Sequence, residues 1–254
     1  MSHTHKNPKR RLYAHALRPV RDFLCGLCVA AAIVGCVKDD GDEAAPDLGY
    51  GYFPLQAGTY VEYRVDSVFH DHPDPSIEGI HDTSRYFVKE VYDAFITDGM
   101  GEEAMRIVRY KRWGDTLPWQ TVDVWVAKIT ARNAQRVEEN QRYVKLGFPV
   151  SDHTQWDANA LNTGVEWRCS YDSLHLPRAV DDLEFDRTVR VNLRDFKNLV
   201  EDQFAYEIYA DGVGMIEKYH RDLTTQVDYS NNPVAANIRS GFEYRMKIVD
   251  YGVE

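Results

Sequence analysis

"TYVEYRVDSV", residues 59–68, sets Val61, Tyr63 and Val65 on one side of an extended chain and Glu62, Arg64 and Asp66 on the other. Successive side chains of a strand point to opposite faces, so this alternation marks a half-buried strand; a helix would repeat its apolar positions every three or four residues. Near the other end of the chain, "GFEYRMKIVD", residues 241–250, repeats the pattern, with Phe242, Tyr244, Met246 and Ile248 alternating with Glu243, Arg245 and Lys247. Runs rich in aromatic and β-branched residues lie between them, near residues 85–95, 104–113, 122–130, 142–146, 166–174, 188–193 and 206–223. Such residues fit a pleated surface.

Turn signals separate the runs: Asp98-Gly99, Gly114-Asp115, Leu117-Pro118, and the pair Gly212 and Gly214 inside "YADGVGMIEKY", which reads as strand, tight glycine turn or bulge, strand. Helix is scarce. Residues 133–140 read as one or two helical turns, and "DHTQWDANALN" from Asp152 reads as a short capped helix or an ordered loop carrying Trp156. The expected fold is mainly β: a single twisted antiparallel sheet or partial barrel of about ten strands with one or two short helices, spanning residues 51–254.

Ahead of residue 51 the composition changes. Lys6, Lys9, Arg10, Arg11, Arg18 and Arg21 form a basic region, and residues 23–34 form an apolar run. That run is too short for a bilayer core, which takes about 20 residues of helix. A basic region followed by a short apolar run is the pattern of a secretory signal peptide, here residues 1–35. Ile33-Val34-Gly35-Cys36 resembles the lipobox of bacterial lipoproteins. The resemblance implies that Cys36 begins the mature chain and carries a diacylglycerol and an N-acyl lipid; two or more acyl chains anchor stably where one holds only marginally. The alternative for Cys36 is a buried structural thiol. Cys25 and Cys28 fall within the leader, which leaves Cys169 as the one further thiol, so no intramolecular disulfide is expected.

Residues 36–50 read as the acylated cysteine and a flexible acidic tether. Lys38, Asp39 and Asp40, close behind Cys36, resemble the surface-export signal of Bacteroidota lipoproteins; the alternative is a plain spacer. The expected location is therefore the outer membrane, lipid-anchored and facing the cell exterior, with the periplasmic leaflet as the alternative. Several longer stretches, "YFPLQAGTYVEYRV" (52–65), "DTSRYFVKEV" (82–91), "LGFPV" (146–150), "QWDANALN" (155–162) and "YADGVGMIEK" (209–218), are similar to a group of Bacteroidota envelope lipoproteins. The likeness lies in packing and turn residues, so it implies a fold and a place without implying a reaction.

The formal net charge is −10. Losing a leader with six Lys or Arg and one Asp leaves the mature chain at about −15. Such a surface repels phosphates, which excludes a nucleic-acid partner. The densest cluster of ligand-type side chains is "FHDHPDPSIEGIHD", residues 69–82. His70 and His72 would share one face of a strand and His81 could return as a third zinc ligand, but Pro73 and Pro75 break the strand, so a polar loop is the stronger reading and no metal is expected. There is no nucleophile elbow and no phosphate-binding glycine loop. The acid pairs Glu138-Glu139 and Asp181-Asp182 read as solvated faces instead of catalytic carboxylates.

Aromatic side chains remain. Trp125, inside "VDVWVAKI", has the alternation of a packed strand residue, whereas Trp113 and Trp119 flank the polar turn "GDTLP" and, with Trp156, are the candidate ligand-binding residues. The expected role is a non-enzymatic cell-envelope lipoprotein that acts as an accessory or partner-binding protein, held to the membrane by its lipid and meeting an envelope protein or a glycan. The second reading is a glycan- or lipid-binding lipoprotein. No cofactor is expected beyond the lipid on Cys36.

Overall fold

The structure, a computed structural model, describes residues 45–71, 81–228 and 235–254. These form β1 (Thr59–Asp71), β2 (His81–Thr97), β3 (Glu103–Arg112), β4 (Gln120–Ile129), β5 (Asn133–Glu138), β6 (Gln141–Gly147), β7 (Gln155–Asp157), β8 (Arg168–Val180), β9 (Leu183–Lys197), β10 (Glu201–Ala210), β11 (Gly214–Asp228) and β12 (Ala235–Val253). All belong to one antiparallel sheet in the order β6-β5-β4-β3-β2-β1-β12-β11-β10-β9-β8-β7. Every strand beside a chain neighbour is a hairpin partner, and the first and last strands meet in the middle.

The alternation that opens the sequence sets the registry there. Tyr63 lies opposite Val88 on β2 and Ile248 on β12, and Val65 lies opposite Tyr86 and Met246. Val61, Tyr63, Val65, Met246 and Ile248 are all buried in one core. Register shifts at Glu62/Tyr63, Ala205/Tyr206 and Ile208/Tyr209 bend the strands, and a bulge strengthens local twist. The sheet therefore curls into a nearly closed barrel around that core.

Its two outer edges meet along β6 and β7, but they are joined mostly by side chains. Asn162 takes both backbone groups of Arg142, accepting from its N–H at 3.0 Å and donating to its carbonyl at 3.0 Å. The Val144 N–H donates to the Ala158 carbonyl at 3.0 Å, and the Val144 carbonyl accepts the Trp156 indole N–H at 2.9 Å. Tyr171 donates its hydroxyl to the Gly147 carbonyl at 2.8 Å. An edge strand left with unpaired backbone groups would be a template for foreign strands; here the backbone groups of Arg142 and Val144 and the Gly147 carbonyl are occupied.

The segment before β1 packs across the end of the barrel where β1 starts. A single 3₁₀ turn, Tyr50–Tyr52, buries Tyr52, and Phe53 follows it into the core. Gly212 donates to the Gly51 carbonyl at 2.9 Å, and Arg187 bridges Asp47 at 2.6 Å and Asp211 at 3.0 Å. The Val150 N–H donates to the Leu48 carbonyl. Asp47, Leu48, Gly49 and Tyr50 are thus part of the folded unit, which begins at Pro46.

The helical turns expected over residues 133–140 are a strand and its hairpin turn, and the stretch from Asp152 follows its ordered-loop reading. Residues 133–138 are β5, paired on both sides, with Val137 opposite Val126 and Arg136 opposite Tyr143. Two ladders override a weak helical preference. Glu139 and Asn140, at φ 47° and 61°, make the two-residue hairpin turn to β6, a type that needs positive φ at both positions. The "DHTQWDANALN" stretch holds β7 and turns, with Trp156 paired against Cys169 of β8. Among the described residues the 3₁₀ turn at Tyr50–Tyr52 is the helical element that remains.

Candidate functional site

Above the apolar core the barrel interior turns ionic. On β2, Glu90 is 1% exposed and accepts from Arg109 of β3 at 3.1 Å and from Arg136 of β5 at 3.3 Å. Arg136 also donates to Glu138 at 2.7 Å. Lys145 of β6 lies 3.3 Å from Glu138 and 2.7 Å from Glu207 of β10. Glu207, fully buried, accepts the Tyr209 hydroxyl at 2.6 Å on its other oxygen and stands 3.3 Å from Lys218 of β11. The Trp125 ring lies between two of the cations, 3.7 Å from the Arg109 guanidinium and 4.8 Å from that of Arg136. Charges survive burial only when paired and hydrogen-bonded, and this chain of contacts supplies both.

The electrostatics follow from those contacts. Burial alone would raise the Glu207 carboxyl, but Lys145 and Lys218 outweigh it and bring the pKa down to about 2. Burial likewise works against Glu138, and Arg136, Lys145 and Lys218 hold it well below the usual carboxylate range. Both are ionised at neutral pH. On the same strand as Lys218, burial and then the Lys218 charge push the His220 imidazole down, so it stays neutral.

This ionic layer is the floor of a cavity of about 190 Å³ toward the end of the barrel away from the N-terminal segment. Lys145, Glu138, Glu207, Lys218 and His220 meet Tyr143, Leu193, Ala205 and Trp167 in its lining. Trp167 is fixed by its indole N–H, which donates to the Leu193 carbonyl, and by a T-shaped contact with Tyr143 at 6.3 Å. His220 packs edge-on to Phe242 at 5.0 Å. Trp167 and His220 also line an outer hollow of about 410 Å³ shared with Asn159, Glu166, Arg194, Gln203 and Asp222. An apolar wall over a few convergent polar groups is the usual make-up of a small-molecule site.

The residues singled out from the sequence do not converge on this place. Trp113 is 56% exposed, with its ring 5.3 Å from Tyr86 and the Lys111 ammonium 4.0 Å above it. Trp119, across the same β3–β4 turn, lies under the Arg112 guanidinium at 4.4 Å. Trp156 is a seam residue, packed on Tyr171 at 4.8 Å and hydrogen-bonded to β6, so it offers no free platform. Trp125 is buried, as its alternation requires. Glu138 is no solvated residue but part of the ionic floor, and Asp181 pairs with Arg64 and Lys247 at a strand turn.

His70 is buried on β1, with Nε2 3.3 Å from Glu243. Its backbone is opposite that of His81; His72, like Cys36, Lys38, Asp39 and Asp40, lies outside the described residues. Among the described residues no three His, Cys, Asp or Glu side chains gather as a metal site. Cys169 is a free, buried thiol whose pKa burial pushes up to about 12, which keeps it unreactive.

Lys145, Glu207, Lys218 and His220 went unnoticed in the sequence because alternation sorts residues by polarity. In "YEIYADGVG" it puts Glu207 on the solvent side of Tyr206 and Ile208, whereas β10 is buried on both faces from Ala205 to Ala210. The charge has its partner on β6, a contact that only barrel closure creates. No family model matches the chain, and neither a curated protein nor a solved structure matches it.

Proposed function

We propose that this chain is an envelope lipoprotein that holds a small ligand in the open end of its barrel. The observation that carries the reading is the cavity itself: an aromatic and aliphatic wall of Trp167, Tyr143 and Leu193 over a floor of paired lysines and glutamates. The lipobox-like residues before Cys36 and the basic leader support membrane attachment, and Lys38, Asp39 and Asp40 support display on the cell surface. The test is native mass spectrometry of the full chain extracted from its membrane in mild detergent. A retained small molecule that disappears in a Leu193→Trp variant, which fills the cavity, is the expected result. A chain that carries no added mass, and whose melting temperature no amphiphile or glycan shifts, would sink the reading.

Partner binding is the second reading, favoured by one observation. Leu117 of the β3–β4 turn, Leu161 and Val165 between β7 and β8, and Leu199 and Val200 between β9 and β10 are exposed apolar side chains at the same end of the barrel. Exposed apolar side chains on several loops of one end give a partner apolar surface to cover. Cross-linking on intact cells tests it: a specific protein adduct at Leu199 supports this reading, and its absence leaves the cavity as the site of recognition.

A further inference from the structure

We propose that the ligand is a singly charged organic anion with an apolar body, its negative group received by Lys218 and His220. This rests on the cavity being a ligand site. The argument is one of unused hydrogen-bonding capacity. Both oxygens of Glu207 are taken, by Lys145 and by the Tyr209 hydroxyl, and Glu138 receives both Arg136 and Lys145 on one oxygen. Lys218, in contrast, has a single contact among the described residues, 3.3 Å to a Glu207 oxygen that already accepts a shorter bond from Lys145. An ammonium carries three donors, so most of its capacity faces the cavity. His220, two residues along β11 and therefore on the same face, lines the cavity too and has ring contacts but, among the described residues, no hydrogen bond from its imidazole.

The charges that line the cavity, Lys145 and Lys218 against Glu138 and Glu207, balance in number but not in engagement: Lys145 meets both carboxylates, whereas among the described residues Lys218 meets Glu207 alone, at the longer distance. A carboxylate or similar anion takes up the donors that Lys218 leaves free, and charge-assisted hydrogen bonds are the stronger kind. Farther out the sign reverses: the outer hollow sets Arg194 against Glu166 and Asp222, and Arg194 is already donating to Gln203, which donates to Asp222. A second negative charge on the ligand would meet those carboxylates. The ligand's body instead lies along Trp167, Leu193 and Tyr143.

The experiment uses the full chain in nanodiscs and three soluble probes with one body and different heads: 3-phenylpropionate, 3-phenylpropanol and 3-phenylpropylammonium, each titrated calorimetrically. The acid is expected to bind about tenfold or more tighter than the alcohol, the size of one charge-assisted hydrogen bond, and the ammonium weakest of all. Lys218→Met is expected to bring the acid's affinity down to that of the alcohol, with an intact cooperative melting transition showing that the variant is folded; Lys218→Arg is expected to retain the acid's advantage. Alcohol or ammonium binding as well as the acid would overturn the anion assignment while sparing the cavity, as would undiminished acid binding by Lys218→Met. Silence from all three probes with the unmodified chain would overturn the cavity reading and the anion with it.

Discussion

Lys145 and Glu207, 62 positions apart in sequence and placed on β6 and β10, lie 2.7 Å apart inside the barrel. The pair ties the strand at one edge of the sheet to a strand near the other edge, so it exists only when the barrel is closed. Glu207→Gln removes one partner of a buried pair and leaves Lys145 with Glu138 alone, a change that costs about 3 kcal/mol. For a domain of this size the melting temperature is expected to fall by roughly 10 °C. Adding Lys145→Met is expected to restore part of the loss, because the penalty is mostly the uncompensated charge. Calorimetric melting of the two single variants and the double variant checks this; strictly additive losses would refute the coupling.

The same glutamates set the acid response. Glu207 titrates at about 2 in the folded chain against an ordinary 4.5, and Glu138 is also held well below 4.5. A carboxyl that is more acidic folded than unfolded stabilises fully above its unfolded pKa and loses that contribution as pH falls toward its folded one. Stability is therefore expected to decline from about pH 4.5 toward pH 2, with a shallower decline in Glu207→Gln, which has one such proton fewer. Urea midpoints measured across that range provide the check, and identical slopes for the two chains would show that Glu207 is not the group responsible.

What the sequence disclosed and what it hid divide along one physical line. Local periodicity is visible residue by residue, so the strands around Tyr63, Trp125 and Ile248, and the glycine turn between β10 and β11, could all be read directly. Contacts set by closure could not. Alternation alone assigns Glu90 and Glu207 to water, because it knows nothing of a second wall that brings Arg136 or Lys145 to them. Trp156 looked like a platform for the same reason: its indole partner is a carbonyl on β6, an edge that only curvature brings near. The β5–β6 hairpin was missed on turn chemistry, since Glu139-Asn140 lacks the glycine that usually announces two positive φ angles.

Gly241 illustrates how tightly the center of the sheet is drawn. Its φ is 129°, and a Cβ there would sit 2.1 Å from the Asp222 carbonyl oxygen and 2.9 Å from the Leu223 Cα, both backbone atoms of the neighboring strand. Backbone cannot swing aside as a side-chain tip can, so Gly241→Ala combines overpacking with a strained dihedral and is expected to cost about 3 kcal/mol. Gly212, at φ 76° with nothing within 4 Å of a Cβ, carries the dihedral strain alone, and Gly212→Ala is expected to cost about 1 kcal/mol. Denaturant midpoints of the two variants give the comparison; equal losses would mean that the close approach at Gly241 relaxes.

Trp156→Phe tests whether the seam is a true closure or a loose approach of two edges. Phenylalanine keeps a ring against Tyr171 but loses the indole N–H that the Val144 carbonyl accepts at 2.9 Å. One buried acceptor left without its partner costs about 1–3 kcal/mol. The loss falls on an edge whose other ties are the Asn162 amide, the Val144–Ala158 bond and the Tyr171 hydroxyl, so the effect should be local before it is global. Amide hydrogen exchange is expected to accelerate at Val144, whose N–H donates to Ala158 across the seam. Exchange at Val65, between β2 and β12 in the middle of the sheet, is expected to change only by as much as the global stability does. Parallel acceleration at both amides would mean that β6 and β7 open only when the whole barrel unfolds, and would make the seam as strong as any other ladder in the sheet.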